Sequence, residues 1–178
     1  MRALWEGCIA SLTEWTSRAF LLQGGSGSGK TTCVENLLYR LRLISKDLKA
    51  QANCRIDIVE LNMLKMQAPN DLVTGLIRYF GLADVADIAG IREFLAQLDN
   101  SMLILAIENI DISLQNQGWI DSLNQICHLA TIGEIVLIGK LSSIFTFFFI
   151  MCYNLQLTTD DSLFLCVRRW QGTDWPSY

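Results

Sequence analysis

A chain of 178 residues that is 51% apolar and only 18% charged suits one domain, alone or with an incomplete neighbour, and excludes global disorder. Its net charge of −4 leaves no basic footprint, so contact with nucleic acid requires a local patch or a partner. Six cysteines, at 8, 33, 54, 127, 152 and 166, form no C-x-x-C pair and no metal spacing, and read as reduced, intracellular, mostly buried apolar residues. The opening MRALWEGCIASL lacks the apolar core of a signal peptide.

Residues 1–17 place Leu4, Trp5, Cys8, Ile9 and Leu12 at helical spacing. Such a lead-in either lies against a nucleotide base or is an ordinary packing helix. The apolar run 18–23 predicts a buried first strand. Gly24-Gly25-Ser26-Gly27-Ser28-Gly29-Lys30-Thr31 follows and matches G-x-x-x-x-G-K-[ST], the Walker A loop. Glycines let backbone N–H groups curl around an anion, and the loop hands the phosphates to a helix N-terminus. Lys30 is placed to reach the β- and γ-phosphates, and the Thr31 hydroxyl to ligate Mg²⁺. A flexible Gly/Ser linker is the plain alternative, but a linker has no reason to sit between a strand and a helix.

The helix expected over Lys30 to Ala50 carries Val34, Leu37, Leu38, Leu41, Ile44 and Leu48 on one stripe. Its other face holds Arg40, Arg42, Lys46 and Lys49, read as a solvated face before a DNA contact. Residues 55–61 alternate as a second strand, and a Pro-Asn-Asp turn at 69–71 offers Asn70 or Asp71 as cap. The next helix has Leu72, Val73, Leu76, Ile77 and Phe80 inward and stops at Gly81. A further helix is expected over 87–99, with Ile88, Ile91, Leu95 and Leu98 inward.

Residues 102–107 predict a buried strand running into Glu108-Asn109-Ile110-Asp111, the Walker B position, where acids at a strand end meet the phosphate loop. Surface acids at a strand end are the alternative for Glu108 and Asp111. A helix over 117–131 and a fourth strand over 134–139, ending at Lys140-Leu141-Ser142-Ser143, complete an α/β pattern. Alternating strands and helices imply a parallel sheet covered on both faces, a three-layer αβα sandwich. His128, beside Cys127 on an apolar helix, reads as a packed or surface histidine.

Residues 1–143 thus form one nucleotide-binding unit, and 144–178 a tail of different character. Residues 144–153 are apolar all round but too short to span a bilayer alone, which argues against a membrane partner. A strand is possible at 162–167.

Over about residues 15–143 the chain resembles the AAA+ domain of origin recognition complex subunits and their loader relatives. The resemblance rests on Walker A, a second strand closing on Glu60-Leu61-Asn62, the Pro-Asn-Asp turn and Walker B. The Gly-Ser-Gly-Lys-Thr core of the loop looks most like that of subunit four. The resemblance implies a P-loop NTPase fold with ATP and Mg²⁺ as cofactors. Gly24, Gly25, Ser26, Gly27, Ser28, Gly29, Lys30, Thr31 and Thr32 would hold the nucleotide, and Thr31 and Glu108 the metal. Ser142 is the nearest candidate for the polar sensor residue, or an ordinary turn serine. Other subunits of a hetero-oligomer, origin DNA reached through that complex, and a nuclear location are implied as well.

The departures shape the expected activity. Glu108 falls where the family has its metal-ordering Asp, and Asn109 where it has the glutamate that activates the attacking water. Asn orients a water but cannot take its proton, so binding without efficient hydrolysis is expected. No Ser-Arg pair matches the family's arginine finger, and Arg168 and Arg169 lie in the tail. The family's helical lid and winged-helix domain have no counterpart in the sequence, which reads as truncation, an alternative end or a mispredicted product. A free-standing P-loop NTPase or small-molecule kinase is the competing function, and a non-binding structural remnant the third.

Overall fold

The computed structural model describes residues 2–52, 55–85, 87–98, 101–115, 117–130, 135–141 and 164–167. Helix α1 (Arg2–Glu14) leads into β1 (Arg18–Gln23), the phosphate-loop segment and α2 (Lys30–Ala52). Strand β2 (Arg55–Asn62) passes through a 3-10 turn, Met63–Lys65, to α3 (Asp71–Phe80) and α4 (Ile88–Ala96). Strand β3 (Ser101–Glu108), a 3-10 segment Ile110–Gln115, α5 (Gln117–Ala130) and β4 (Ile135–Leu141) follow. A last strand, β5 (Phe164–Val167), lies beside β1 and answers the strand expected at 162–167.

The sheet runs β2-β3-β4-β1-β5 and every pairing is parallel. The strand carrying the phosphate loop and the strand carrying Glu108 are therefore not neighbours. Strand β4 lies between them, and its C-terminal end opens into the space they share. In an open parallel sheet that end of the strands is where ligands bind.

Alternation along each strand sorts the core into two layers. On one face Phe20, Leu22, Met102, Ile104, Ala106, Val136 and Ile138 pack against Leu4 and Cys8 of α1 and Val34, Leu37, Leu38 and Leu41 of α2. On the other, Leu103, Leu105, Ile107 and Leu137 pack with Leu72, Val73 and Leu76 of α3, Ile91 of α4 and Trp119, Leu123 and Ile126 of α5. The expected stripes are thus inward at Val34, Leu37, Leu38 and Leu41 of α2, Leu72, Val73 and Leu76 of α3 and Ile91 of α4, while the side chain of Leu48 lies outside the described residues. Burial pushes the Cys8 and Cys127 thiols up to about 12, so neither is a thiolate near neutrality.

Helix α1 packs on the sheet through Leu4 and Cys8. Its Gly7 lets the Phe20 ring approach so closely that a Cβ there would stand 2.6 Å from Phe20 Cε1. Across from it, Arg40 of α2 stacks 5.8 Å above the Trp5 ring, and Arg42 pairs with Glu60. Two of the basic residues on the outer face of α2 are therefore engaged within the chain, in keeping with a solvated face.

Two helix ends differ from expectation. Asn70 sits at the start of α3 with helical backbone and no side-chain cap. Asp71 turns its carboxylate back instead, accepting from Gln67 N at 2.7 Å and Ala68 N at 3.0 Å. Those backbone donors hold the Asp71 carboxyl below the ordinary range, the Ala68 bond foremost. Gly81 stops α3 in the left-handed region, φ 68°, as expected. Helix α4 is shorter than 87–99: Asp87 caps its start, its side chain accepting from Gly90 N at 3.0 Å, and it ends at Ala96 with Gln97 as the C-cap.

Among the described residues no helix is long and apolar enough to cross a membrane. The apolar run 144–153, Arg168, Arg169 and Ser142 lie outside the described residues, as does the side chain of His128.

Candidate nucleotide site

Strand β1, buried at Phe20 and Leu22 and half-buried elsewhere, ends at Gln23 and α2 begins at Lys30, so the Gly24–Gly29 loop turns between a strand and a helix N-terminus. Gly27 and Gly29 take φ of 74° and 79°, which L side chains rarely adopt. A Cβ on Gly24 would meet Ser28 Oγ at 2.7 Å. These glycines are required by the turn itself, and the flexible-linker alternative does not account for them. The loop is closed by Ser28 N donating to Gly25 O at 3.2 Å, and Cys33 N starts the helical ladder on Gly29 O at 2.9 Å.

Lys30 folds back over its own loop. Its ammonium donates to Gly24 O, to Gly25 O at 2.8 Å and to Ser28 Oγ at 3.2 Å. Gly25, Ser26, Gly27, Thr31 and Thr32 are exposed, and Gly24, Ser28, Gly29 and Lys30 half-buried. The ammonium therefore sits in the mouth of the cradle, where phosphate oxygens can replace the loop carbonyls as its acceptors. The donor set, the curled backbone and the helix N-terminus together fit a phosphate group.

Glu108 is the last residue of β3, and Asn109 follows with φ 58°. Left-handed backbone at a non-glycine position favours Asn over longer or branched residues. What fixes the pair is Asn62, the last residue of β2, set beside Glu108 by the parallel register. Asn62 Oδ1 accepts from Leu64 N at 3.0 Å and from Asn109 Nδ2 at 3.0 Å, and its Nδ2 donates to Glu108 Oε2 at 2.8 Å. The backbone donor of Leu64 dictates which way the Asn62 amide faces, so the amino group must point at Glu108. The Asn109 amide is thus tied to β2. Asp111 lies one turn further on, half-buried in the 3-10 segment after β3.

Lys140 is the residue that the sequence reading missed. Strand β4 does not end at Gly139 but continues to Leu141, held by the pairing of Lys140 and Leu141 with Leu22 and Gln23 of β1. Period-two alternation puts Lys140 on the face of Val136 and Ile138, which is the face of Ala106 and Glu108. It is 5% exposed, and its ammonium donates to Glu108 Oε1 and lies 3.4 Å from Thr31 Oγ1. Burial pushes the Lys140 ammonium down from the ordinary lysine range, while Glu35 and Glu60 pull it back up. Gly139 before it makes room for Ile110, whose Cδ1 would stand 2.5 Å from a Cβ at that position.

The two residues expected to hold Mg²⁺ are therefore brought together, but with an ammonium between them. Thr31 and Glu108 do not fit a divalent ion in this arrangement, because the Lys140 ammonium stands between them and would repel a second cation there. Among the described residues no cluster of three His, Cys, Asp or Glu side chains offers another metal site. A Val-x-Ile-x-Lys alternation at a strand end next to the phosphate loop is the signal from which Lys140 was legible.

No protein-family model and no curated protein matches the sequence. Solved structures do resemble the fold. The ORC2 protein of Aeropyrum pernix, in ADPNP and ADP complexes, superposes with a TM-score of 0.68 at 12% identity over 84% of this chain and 42% of its own. The ORC1 protein of Aeropyrum pernix, in complex with DNA, gives 0.65 at 22% identity over 80% and 38%. Drosophila ORC bound to DNA gives 0.61 at 16% identity over 79% and 37%. The chain spans about two fifths of the length of these structures. With its strand order, phosphate loop and these neighbours, the chain has the α/β fold of the AAA+ P-loop ATPases.

Proposed function

We propose that the chain binds ATP as one subunit of an origin recognition type of hetero-oligomer, with weak or no hydrolysis. The likeness to origin recognition structures supports the setting of other subunits and DNA as partners; origin DNA reached through the complex and a nuclear location belong to the same proposal. The loop core Gly27-Ser28-Gly29-Lys30-Thr31 favours a subunit of the fourth kind. Nucleotide then acts as an assembly ligand, stabilising whatever state binds it.

The observation that carries the hydrolysis-deficient reading is Asn109. An amide whose amino group is held 3.0 Å from Asn62 Oδ1 cannot take a proton from an attacking water. Asn109 also counts against a free-standing, active NTPase or kinase, since it can orient a water but cannot accept its proton. Thr31, Thr32 and the Gly24–Lys30 loop hold the phosphates in this reading; Ser142 stays a candidate sensor.

Trapped nucleotide tests it. Purified chain incubated with γ-labelled ATP, freed of excess and then denatured, is expected to release ATP with its γ-phosphate intact. Release of ADP as the main product would mean that another base serves the site.

A further inference from the structure

The position between Thr31 Oγ1 and Glu108 is where a P-loop protein holds its Mg²⁺, through the loop hydroxyl and the acid of the third strand. Here that position belongs to a lysine from β4, 5% exposed and bonded to Glu108. We propose that Lys140 is a built-in cation: its ammonium takes the place of the divalent metal, so that this chain binds nucleotide without Mg²⁺. The inference rests on the nucleotide reading above.

Charge and geometry support it. A metal at this position does two things: it neutralises the strand-end acid and it offers positive charge to the β- and γ-phosphates. Lys140 already does the first. Its Nζ lies 3.4 Å from the hydroxyl that opens α2, beside the loop that Lys30 caps. A triphosphate in the cradle therefore meets the Lys30 ammonium, while Lys140 from the sheet cancels the Glu108 carboxylate that would otherwise repel it. Displacing Lys140 for a hydrated divalent ion would strand a buried ammonium, which is costly unless it finds a new partner. Lys140 is paired with Glu108, so a metal ligated by that carboxylate would have to displace the ammonium or sit against it. A lysine also lacks the ordered coordination waters that a metal brings. The substitution therefore suits a site that holds nucleotide and does not turn it over.

The test is calorimetric titration of the full chain with ATP and with ADP, once in EDTA and once in excess MgCl₂. The expected result is affinities that agree within about twofold in the two media, since the required charge is in the protein. Lys140→Ala, which opens the position, is expected to lose about tenfold or more in EDTA and to regain it in MgCl₂. Lys140→Met keeps the buried stem if the alanine variant does not fold, and is expected to show the same loss in EDTA. Wild-type affinity that falls tenfold or more in EDTA, or a folded Lys140 variant that binds as the wild type in EDTA, would overturn the inference and leave the nucleotide reading standing. No binding of either nucleotide in either medium would sink both.

Discussion

Lys30→Ala is expected to weaken ATP binding about 10- to 100-fold, the loss of one or two charge-assisted hydrogen bonds to phosphate at about 1.5–3 kcal/mol in all. Titration calorimetry of the two proteins reads it. The fold should hardly register the change. Lys30 is only half-buried, and its present acceptors are Gly24 O, Gly25 O and Ser28 Oγ at a solvent-facing loop. Water replaces the ammonium at those oxygens, so the melting temperature is expected to move by no more than about 2 °C, as for surface substitutions in general. The contrast between a large binding effect and a small stability effect is what distinguishes a phosphate ligand from a structural lysine.

The reverse contrast is expected at Asn62. Asn62→Ala removes three hydrogen bonds at once, to Leu64 N, Asn109 Nδ2 and Glu108 Oε2, in a half-buried position at the end of β2. At about 1 kcal/mol each, with part of the desolvation cost of the groups left behind, the loss is about 2–4 kcal/mol. For a chain of this size that lowers the melting temperature by roughly 4–16 °C. Thermal denaturation followed by circular dichroism measures it. Asn62→Asp separates the contacts: it keeps an acceptor for Leu64 N but sets a second carboxylate against Glu108. It is expected to be at least as destabilising as alanine, and a melting temperature equal to wild type would remove Asn62 from the account.

The fold was legible where pattern and chemistry agree. The strand 18–23, the helix start at Lys30, the stop at Gly81 and the strand leading to Glu108 were all marked by residues whose local preference matches their tertiary place. Asn62 was visible only as a step resembling a family pattern, because a bond between residues 62 and 108 depends on strand pairing that period alone does not reveal. Lys140 was lost for a related reason. A charged residue after an apolar run reads as a strand end, so the Val-x-Ile-x-Lys alternation went unused; the pairing of Lys140 with Leu22 of β1 shows that the strand continues, and its period turns the lysine toward Glu108. The expected caps at Asn70 and Asp71 failed because the Asp71 carboxylate has two backbone donors in the preceding turn. The site's phosphate half was therefore written in a contiguous motif, and its acid half in contacts between strands.

The same division gives the site its character. The phosphate loop is complete, while the groups that would move a proton or order a metal are held in contacts with one another: Asn109 with Asn62, Glu108 with Asn62 and Lys140. That arrangement is the ground for the proposal that the chain holds a nucleotide without turning it over.

Steady-state phosphate release at saturating ATP, wild type beside Lys30→Ala, tests this most directly. The predicted result is release by the wild type that matches the variant's background although the wild type binds ATP. Release well above that background, approaching the 1 s⁻¹ or so at the low end of ordinary enzyme turnover and abolished in Lys30→Ala, would contradict it.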